Sequence, residues 1–574
     1  MKKQRFVDLY TPEGEALSGQ PWQAYPRPQM RRASYLNLNG EWEFAVQRGE
    51  NPPGQYRESI RVPFPPQSLL SGIHREIPEE DFLFYQKEFE LPADFKGGRI
   101  LLHMGAADQV AKVWLNGTCF GVHEGGYEPF SFDVTQWVQE KNTLTIRVHD
   151  HMSNYVLPYG KQSAKRGGMW YTPVSGIWQT VWLECVPEQY IQRLRIRTGS
   201  DWAEIIAEGE VPDGIVSVQT PEGTLRAVFC QGKAEIRLST PRMWSPEDPY
   251  LYQCVIQAGE DQVETYFALR TLEVEQVGGI WRLCLNGKPY FFHGVLDQGY
   301  WSDGLFTPAD PSCYERDILA MKELGFNTLR KHIKIEPEQF YYDCDRLGMV
   351  VFQDMVNNGD YHFIRDTALP TIGLKRRGDR WMHRHEQTRE AFLKAMESTV
   401  RQLENHPCIC YWTVFNEGWG QFESTKAYRR MKELDDSRFV GTVSGWFKGG
   451  ESDVVSEHIY FKPFRPEKTE KPLVLSEFGG YSFPPEGHVF NPDNEYGYRY
   501  FKKREDYVRD LTALYEQEII PAVKRGLCAA VYTQVSDVED ETNGLLSYDR
   551  KVCKLTREEM LPIARKLREE IGQE

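Results

Sequence analysis

Two glutamates in this sequence each stand directly after an apolar run of strand length. Residues 410–415 lead into Asn416 and Glu417, and residues 472–476 lead into Glu477. Two carboxyl groups that face one cleft can divide acid–base work, because one donates a proton to a leaving oxygen while the other attacks in its ionised form. Hydrolysis of a glycosidic bond with retention needs such a pair about 5–5.5 Å apart.

The second half of the chain alternates predicted strands with predicted helices, which is typical of a (β/α)₈ barrel. A doubly wound sheet is the alternative, but eight strands is the number that closes a barrel. The predicted strands are residues 290–295, 327–330, 349–354, 409–414, 439–443, 454–460, 473–475 and 529–532. The predicted helices lie near residues 311–323, 336–347, 386–404, 421–435, 496–518 and 556–571.

The barrel hypothesis places both glutamates at the functional end of the fold. Barrel enzymes carry their chemistry at the carboxyl ends of the strands. Glu417 follows strand four and Glu477 follows strand seven, which lie across the barrel mouth from each other. A single strand-end glutamate is as often the partner of a neighbouring lysine or arginine. Two on opposed strands, each followed by glycine-rich turns, weaken that interpretation.

Two β-rich modules precede the barrel. Residues 1–185 contain short strands and an Asn116-Gly117 turn, which predict a β-sandwich of jelly-roll type. Residues 186–275 have the length of an immunoglobulin-like sandwich, with Trp244-Ser245-Pro246 in a loop between its strands. We therefore expect three domains, at residues 1–185, 186–275 and 276–574.

Composition restricts the partners of the protein. The net charge of −15 argues against nucleic acid, because phosphate binding needs a basic face. No apolar run of membrane-spanning length and no secretory h-region is present, so we expect a cytoplasmic protein with no membrane partner. The 11 cysteines are scattered, which indicates free thiols. No His/Asp cluster has ligand spacing, so we expect no metal and no cofactor.

The ordered set of these motifs resembles glycoside hydrolase family 2, which contains β-galactosidases, β-glucuronidases and β-mannosidases. The resemblance covers nearly the whole chain and rests on Asn416-Glu417, Glu477, residues 244–246, 285–289 and 537–550. It implies a retaining exo-β-glycosidase in which Glu417 is the acid/base and Glu477 is the nucleophile. Large enzymes of this layout are often oligomers, so a homo-oligomer is also expected, although the sequence names no interface.

The resemblance also implies contacts around the sugar. Asn416 is expected to hydrogen-bond the 2-hydroxyl, an interaction that strengthens in the transition state. Tyr460 resembles the tyrosine that touches the nucleophile, and His332 resembles a substrate-contacting histidine. An ordinary core tyrosine and a loop histidine without a role are the alternatives for these two.

The same resemblance implies three further candidate contacts with the sugar. Asp297 follows strand one and contacts sugar hydroxyls or caps the next element. Trp446 after strand five and Tyr532 on strand eight are candidate walls on which a sugar ring stacks.

Two departures from the family pattern bear on the sugar. The Asn-x-Lys signature of many β-glucuronidases is absent between Asp537 and Lys551, and the acidic residue expected shortly before Ser175-Gly176-Ile177 is absent as well. The loop at residues 357–385 carries six basic and three acidic side chains, a net +3, and Arg330, Lys331 and Lys334 lie close by in sequence. If either cluster lines the cleft, it would favour a substrate carboxylate; a solvated or interface loop is the alternative.

These observations predict a carbohydrate substrate with a terminal β-D-galactosyl or β-D-galacturonosyl residue. A β-glucuronidase or another family 2 exo-glycosidase is the alternative within the family. A non-catalytic carbohydrate-binding protein on the same fold is the alternative from a different class, because fold alone does not establish function.

Overall fold

The computed structural model describes residues 6–95, 97–369, 379–380, 382–445 and 449–573. It consists of two antiparallel β-sandwich domains followed by a barrel of parallel strands. Each sandwich has a hydrophobic core of its own, and a third and larger core fills the barrel and its contacts with the other domains. The predicted fold class is therefore confirmed.

The first domain packs a four-stranded sheet against a six-stranded sheet. The Asn116-Gly117 turn joins two strands of the larger sheet, and both residues have positive φ, +50° and +80°, as a tight hairpin turn requires. The smaller sheet runs, in order, Leu36–Asn37, Val181–Val186, Arg99–Met104 and Phe130–Asp133. The larger sheet runs Glu58–Val62, Gly40–Gln47, Phe82–Glu90, Lys141–His149, Val110–Leu115 and Thr118–Glu124. A short pair, Ala107–Asp108 with Gly176–Ile177, completes the domain.

The second domain is a smaller sandwich whose strands alternate buried and solvent-facing residues, the pattern of a sheet with one covered face. One sheet runs Arg193–Thr198, Trp202–Glu208 and Lys233–Arg237. The other runs Gly223–Phe229, Gly214–Thr220, Tyr252–Ala258 and Asp261–Phe267.

A three-stranded sheet leads from the second domain into the barrel. It contains Leu272–Val277, Ile280–Leu285 and Lys288–Pro289. The boundary that the sequence placed between residues 275 and 276 falls inside the first of these strands. Trp244 anchors the same region, because its buried indole N–H donates to the carbonyl of Asp345 in the barrel at 2.8 Å.

Eight parallel strands form the barrel sheet, as predicted. In chain order, barrel strands one to eight are Phe292–Asp297, Thr328–Lys331, Val350–Asp354, Ile409–Asn416, Phe439–Ser444, Val455–Ile459, Leu473–Gly479 and Leu527–Thr533. The sheet order is 5-4-3-2-1-8-7-6, so strands five and six meet where the barrel closes. Most of these strands are buried along their whole length, which explains their nearly continuous apolar runs.

Helices cover the outside of the barrel. The described α-helices are Ser312–Glu323, Glu338–Leu347, Glu386–Leu403, Ser424–Leu434, Arg504–Leu514, Ile520–Val523 and Arg557–Ile571, and the π-helical turns are Ile364–Ala368 and Tyr515–Ile519. The last α-helix begins with a capping box formed by Thr556 and Glu559. Another short helix, Pro12–Ala16, precedes the first sandwich, and Tyr481–Ser482 pairs with Arg499–Tyr500 beside the barrel.

Residues 6–35 do not belong to the first sandwich alone, in contrast to the predicted domain of residues 1–185. Thr11 donates from its backbone and its hydroxyl to Asp303 of the barrel, at 2.8 and 2.6 Å. Arg32 forms a bidentate pair with Asp261 of the second sandwich and also contacts Glu184 of the first. This segment therefore fastens the three domains together.

In the part of the chain that the structure describes, no helix is long and apolar enough to cross a membrane. All 11 cysteines are described, and all are free thiols.

Candidate active site

Glu417 and Glu477 meet in the mouth of the barrel. Asn416 ends strand four and Glu417 follows it in the left-handed region, with φ +50°, which is a strained conformation for a residue with a side chain. Glu477 lies near the carboxyl end of strand seven. A carboxylate oxygen of each glutamate lies within 4.8 Å of the other. An oxygen–oxygen approach this close is compatible with the carboxyl separation of about 5–5.5 Å that double displacement uses.

Two donors hold the Glu477 carboxylate from opposite sides. The Tyr460 hydroxyl donates to Oε2 at 2.5 Å, and the Arg330 guanidinium donates from Nη1 to Oε1 at 2.9 Å. The Tyr460 ring stacks on Tyr498 with centroids 3.7 Å apart, which fixes the direction of the hydroxyl. Each carboxylate oxygen therefore has its own donor, and the side chain cannot rotate without losing one.

The environment keeps Glu477 ionised. Burial alone would raise the pKa of this carboxyl, but the charges of His458 and Arg330, with smaller contributions from His332 and the Tyr460 hydrogen bond, lower it to about 2. Burial and the neighbouring Glu477 charge raise the pKa of the Tyr460 hydroxyl well above its ordinary value, so this hydroxyl remains a donor. An ionised carboxylate is what a nucleophile requires at neutral pH.

Arg330 lies under the catalytic pair and does not face the cleft. It is 1% exposed and forms a bidentate pair with Asp354, at 3.0 and 2.9 Å, in addition to its bond with Glu477. It also donates to Asn416, to Ser444 and to the carbonyl of Ser476, and its Nη1 lies 3.4 Å from Nε2 of His458. The sequence predicted Arg330 as a substrate contact, whereas the structure gives it a positioning role.

Lys331 and Lys334, which follow Arg330, are also paired with acidic side chains. Lys331 bridges Asp297 and Glu336 at 2.6 and 2.9 Å. Lys334 binds Glu336 and two backbone carbonyl groups. The basic cluster at residues 330–334 therefore does not supply a free cation to the cleft.

Asn416 presents its amide NH₂ group to the cleft. Its Oδ1 accepts from Arg330 at 2.9 Å and from the Ser444 hydroxyl at 2.8 Å. Because Arg330 can only donate, this contact fixes the orientation of the amide. Nδ2 is buried without a partner among the described residues, as expected for a donor that awaits a ligand.

His458 connects the two carboxylates. Its Nδ1 lies 2.9 Å from a Glu417 oxygen and 3.5 Å from a Glu477 oxygen, and its Nε2 lies 3.4 Å from Arg330. Because its neighbours at Nδ1 are carboxylate oxygens, which accept, Nδ1 carries a proton directed at the glutamates. Sequence reasoning missed His458, although its position two residues before Tyr460 on the same strand places both on one face.

The same three side chains, Glu417, His458 and Glu477, offer ligand atoms close enough together to hold a metal ion. Arg330 already supplies positive charge at Glu477, and the Nδ1 proton of His458 occupies the position that a cation would take. The expectation that the reaction needs no metal stays a prediction.

His332 and Asp297 lie at the same end of the barrel. His332 is buried, and its Nδ1 lies 2.8 Å from Asp354, which fixes the ring near the nucleophile; burial lowers its pKa. Asp297 ends strand one with both oxygens engaged, one by Lys331 and the other by the backbone N–H of Gly299. This arrangement favours the capping role for Asp297.

Of the two residues predicted as stacking walls, the structure describes only Tyr532. Tyr532 is completely buried, and its hydroxyl accepts from the backbone N–H of Tyr481 at 3.2 Å. Its ring packs edge-on against Phe478 and offers no face to a sugar, so the structure does not bring Tyr532 to the cleft. Trp446 lies outside the described residues.

The basic loop at residues 357–385 is only partly described, because Lys375, Arg376 and Arg377 lie outside the described residues. In the described part, Arg365 pairs with Asp366 at 2.7 Å and with Asp360 at 3.2 Å. The positive charge of Arg365 is therefore balanced within the loop.

The first domain completes the mouth of the barrel, which sequence reasoning did not foresee. Its segment 155–171 reaches the barrel, where Trp170 stacks on Trp419 with centroids 5.3 Å apart. Arg166 forms ion pairs with Glu539 and Asp540 at 2.6 and 2.8 Å. The Tyr171 hydroxyl donates to Glu541, in the same acidic segment, at 2.8 Å. No local pattern marks these residues, because each contact joins positions hundreds of residues apart.

Comparison with known families agrees with this architecture domain by domain. "Glycosyl hydrolase 2 galactose-binding domain-like" matches residues 73–209 and "Glycosyl hydrolases family 2" matches residues 194–270. "Glycosyl hydrolases family 2, TIM barrel domain" matches residues 281–553. The chain belongs to glycoside hydrolase family 2. This confirms the family and the enzyme class predicted from the sequence.

Individual relatives are distant. The β-galactosidase of Thermoanaerobacter pseudethanolicus is 25% identical over 447 residues, which cover 71% of this chain and 55% of the relative. The chain thus spans about half the length of that protein. The structure resembles a β-D-glucuronidase of Dictyoglomus thermophilum, with a TM-score of 0.71, 18% identity and coverage of 96% and 99% of the two chains. It also resembles a β-galacturonidase of Eisenbergiella tayi, with a TM-score of 0.67, 19% identity and coverage of 95% and 99%.

Proposed function

We propose that this chain is a retaining exo-β-glycosidase that releases a terminal galactose-type sugar, either β-D-galactose or β-D-galacturonic acid. The observation that carries the proposal is the pair formed by Glu417 and Glu477, with oxygens within 4.8 Å of each other. The pair is asymmetric, because Arg330 and Tyr460 hold only Glu477. Double displacement requires two carboxyl groups in one cleft, one of which is held in its ionised form.

In the proposed mechanism, Glu477 attacks the anomeric carbon while Glu417 protonates the leaving oxygen. The bond between the sugar and the leaving group breaks as a covalent bond to Glu477 forms. Glu417 then removes a proton from water, which attacks the same carbon and releases Glu477. The Asn416 amide donates to the 2-hydroxyl through its unpartnered Nδ2. This contact is stronger in the transition state and lowers the barrier for both steps.

His458 helps to keep the two carboxyl groups distinct. Its Nδ1–H contacts one Glu417 oxygen, which leaves the other oxygen to carry the proton that is transferred. After the covalent step the charge on Glu477 disappears and Glu417 becomes the anion. The same N–H then stabilises the carboxylate of Glu417 at no cost of reorganisation.

A β-glucuronidase is the second candidate, favoured by the names of relatives such as the Dictyoglomus thermophilum enzyme. Both candidates use the same two glutamates. A glucuronide differs from a galacturonide only in the configuration of the C4 hydroxyl, and it differs from a galactoside in the oxidation state of C6 as well. The Asn-x-Lys signature that many β-glucuronidases carry near the last strand is absent from residues 537–551, which argues against ordinary β-glucuronidase activity. The Eisenbergiella tayi β-galacturonidase of similar fold supports a uronic form.

A panel of p-nitrophenyl β-glycosides tests the proposal. Initial rates are measured on the galactoside, glucoside, mannoside, galacturonide and glucuronide with wild type, Glu477→Ala and Glu470→Ala. Glu470 is an exposed residue shortly before the same strand, which makes it a matched control. We expect activity on the galactoside or the galacturonide that is lost only in Glu477→Ala.

A mechanism-based inhibitor separates catalysis from mere binding. A 2-deoxy-2-fluoro glycoside of the preferred sugar slows the second step and traps the covalent intermediate. Peptide mass spectrometry is expected to find the sugar on Glu477. Sugar binding without turnover or labelling, over the whole panel, would instead support the non-catalytic carbohydrate-binding alternative.

A further inference from the structure

Lys161 is a buried cation in the mouth of the barrel with no described anionic partner. Its side chain comes from the first domain and is 8% exposed overall. Among the described residues, its ammonium group makes no hydrogen bond and no ion pair. It lies 5.3 Å from the ring centre of Trp419 and 5.8 Å from that of Tyr171. Cation–π contacts offset only part of the cost of removing an ammonium group from water.

The location of Lys161 ties it to the reaction centre. Trp419 follows the catalytic Glu417 by two residues, and its backbone N–H donates to the carbonyl of Asn416 at 2.8 Å. The ammonium charge also acts on His332, whose pKa burial lowers and Lys161 lowers further. Lys161 therefore stands between strand two and strand four, on the side of the mouth that the first domain covers.

The backbone around Lys161 is firmly held, so its position is built into the fold. The carbonyl of Lys161 accepts from the backbone N–H of Tyr171 at 3.1 Å. The next side chain, Gln162, donates to Asp108 at 2.8 Å and accepts from the backbone of Val174 at 2.5 Å. A surface lysine that faces the cleft by chance would not need this support on both sides.

The carboxyl group of Glu541 does not neutralise the charge of Lys161. Glu541 acts on the lysine electrostatically but does not reach ion-pair distance. Its Oε2 is instead occupied by Tyr171 and Gln534, both at 2.8 Å, and burial raises its pKa. Lys161 therefore keeps its full capacity to bind an anion.

The ring of Trp419 that the ammonium group approaches carries a second donor without a described partner. The indole Nε1 of Trp419 is buried and has no hydrogen-bond partner among the described residues. An ammonium group and an indole N–H can only donate, so a ligand that satisfies both must accept twice and carry negative charge. A carboxylate meets both conditions. A neutral hydroxymethyl group would leave the buried charge uncompensated.

We propose that Lys161, with the indole N–H of Trp419, binds the C6 carboxylate of a terminal β-hexuronide. The proposal rests on the glycosidase function above and narrows its substrate class from galactose-type sugars in general to uronides. The first domain supplies the cation, whereas the barrel supplies the two glutamates. Recognition of the carboxylate thus requires no basic residue from strand eight or from the loop at residues 357–385.

The test compares Lys161→Met with wild type on matched uronides and neutral glycosides. Methionine keeps the length of the side chain and removes the charge. On p-nitrophenyl β-D-galacturonide or β-D-glucuronide we expect kcat/KM to fall about 30-fold or more, as for a buried charge that loses its partner. On the matched galactoside and glucoside we expect a change of less than about threefold. Lys165→Met, an exposed lysine of the same loop, is the control and should leave all rates unchanged.

A second variant and a binding measurement test the site separately from the turnover of Lys161→Met. Trp419→Phe keeps an aromatic side chain and removes the N–H, and it should lower kcat/KM on the uronide about tenfold. Calorimetric titration with free galacturonate, glucuronate and galactose measures binding without turnover. Uronate binding that disappears in Lys161→Met, with an unchanged melting temperature, supports the proposal.

Failure of the inference differs from failure of the proposed function. A wild type that prefers neutral glycosides, an equal loss on uronide and neutral substrate, or uronate binding independent of Lys161 would overturn the role of Lys161. Hydrolysis of none of the substrates would refute the glycosidase function, while titration with uronates would still decide what Lys161 binds.

Discussion

Replacing Tyr460 by phenylalanine tests how the protein keeps its nucleophile ionised. The hydroxyl donates to Oε2 of Glu477 at 2.5 Å and lies 2.9 Å from the Thr533 hydroxyl. Phenylalanine retains the ring and its stack on Tyr498, whose planes are 7° apart. The change therefore removes one hydrogen bond to the carboxylate and leaves the packing of the site in place.

The expected effect follows from the strength of that bond. A hydrogen bond to a charged group contributes about 1.5–3 kcal/mol, and one pKa unit corresponds to about 1.4 kcal/mol. Starting from a pKa of about 2 in the wild type, Tyr460→Phe should raise the pKa of Glu477 by about one to two units. Glu477 stays ionised at neutral pH, so the loss of rate there reflects misplacement of the carboxylate alone.

Both the stability that Glu477 contributes and the activity should fall as the pH is lowered. The pKa of Glu477 in the folded protein, about 2, lies below its ordinary value of 4.5. Ionised Glu477 therefore contributes stability that is present above pH 4.5 and is lost as the pH falls towards 2. In Tyr460→Phe the folded-state pKa lies closer to 4.5, so this contribution is smaller and its loss is complete at a higher pH, and the activity falls off at that higher pH as well.

The assay is kcat/KM on the preferred glycoside from neutral pH down to the acid limit of folding, with the fold monitored by circular dichroism. We expect the acid limb of the profile to move up by about one to two pH units in Tyr460→Phe. Tyr498→Phe, which removes a hydroxyl without a bond to Glu477, should leave the limb in place. A rate that falls while the acid limb stays unmoved would refute the argument that Tyr460 controls the ionisation of Glu477.

Three further predictions concern the acid/base, the 2-hydroxyl contact and the domain junction. Glu417→Ala should lower hydrolysis by about 10²–10⁴-fold, with partial recovery in azide and formation of a β-glycosyl azide seen by NMR; no recovery would contradict the acid/base role. Asn416→Ala should cost tenfold or more on the parent glycoside but little on its 2-deoxy analogue, and equal losses on both would exclude the 2-hydroxyl contact. Arg166→Met leaves the buried Glu539 carboxylate unpaired, which should lower the free energy of unfolding by about 3 kcal/mol. Arg75→Met, which breaks a more exposed pair, should cost about 1 kcal/mol or less in the same thermal melts.

Much of the architecture was predictable because it follows from local patterns. Apolar runs of strand length, most of them followed by a helical period, identified all eight barrel strands to within a few residues. The strand ends then identified Asn416, Glu417 and Glu477, since a parallel barrel collects its carboxyl ends at one face. The Asn116-Gly117 turn was predictable for a similar reason, because few residues tolerate positive φ.

The direction of individual side chains was not predictable from such patterns. Arg330 and Tyr532 both lie on strands that are buried on both faces, so alternation cannot tell the cleft from the interior. Arg330 turned out to hold the nucleophile from below, and Tyr532 to pack inside the barrel wall. The charge of the 330–334 cluster was visible in sequence, but its neutralisation by Asp297, Asp354 and Glu336 was not.

The sequence by itself determined the family and the class of fold, and it predicted the two carboxyl groups that we propose as the catalytic pair. Tertiary structure alone decided that Lys161 lies in the mouth of the barrel without an anionic partner among the described residues. Lys161 lies in a loop of the first domain, more than 250 residues before Glu417 and Trp419. The packing of the first domain on the barrel brings them together. Such a contact depends on how two folded surfaces dock, which the periodicity of neither segment encodes.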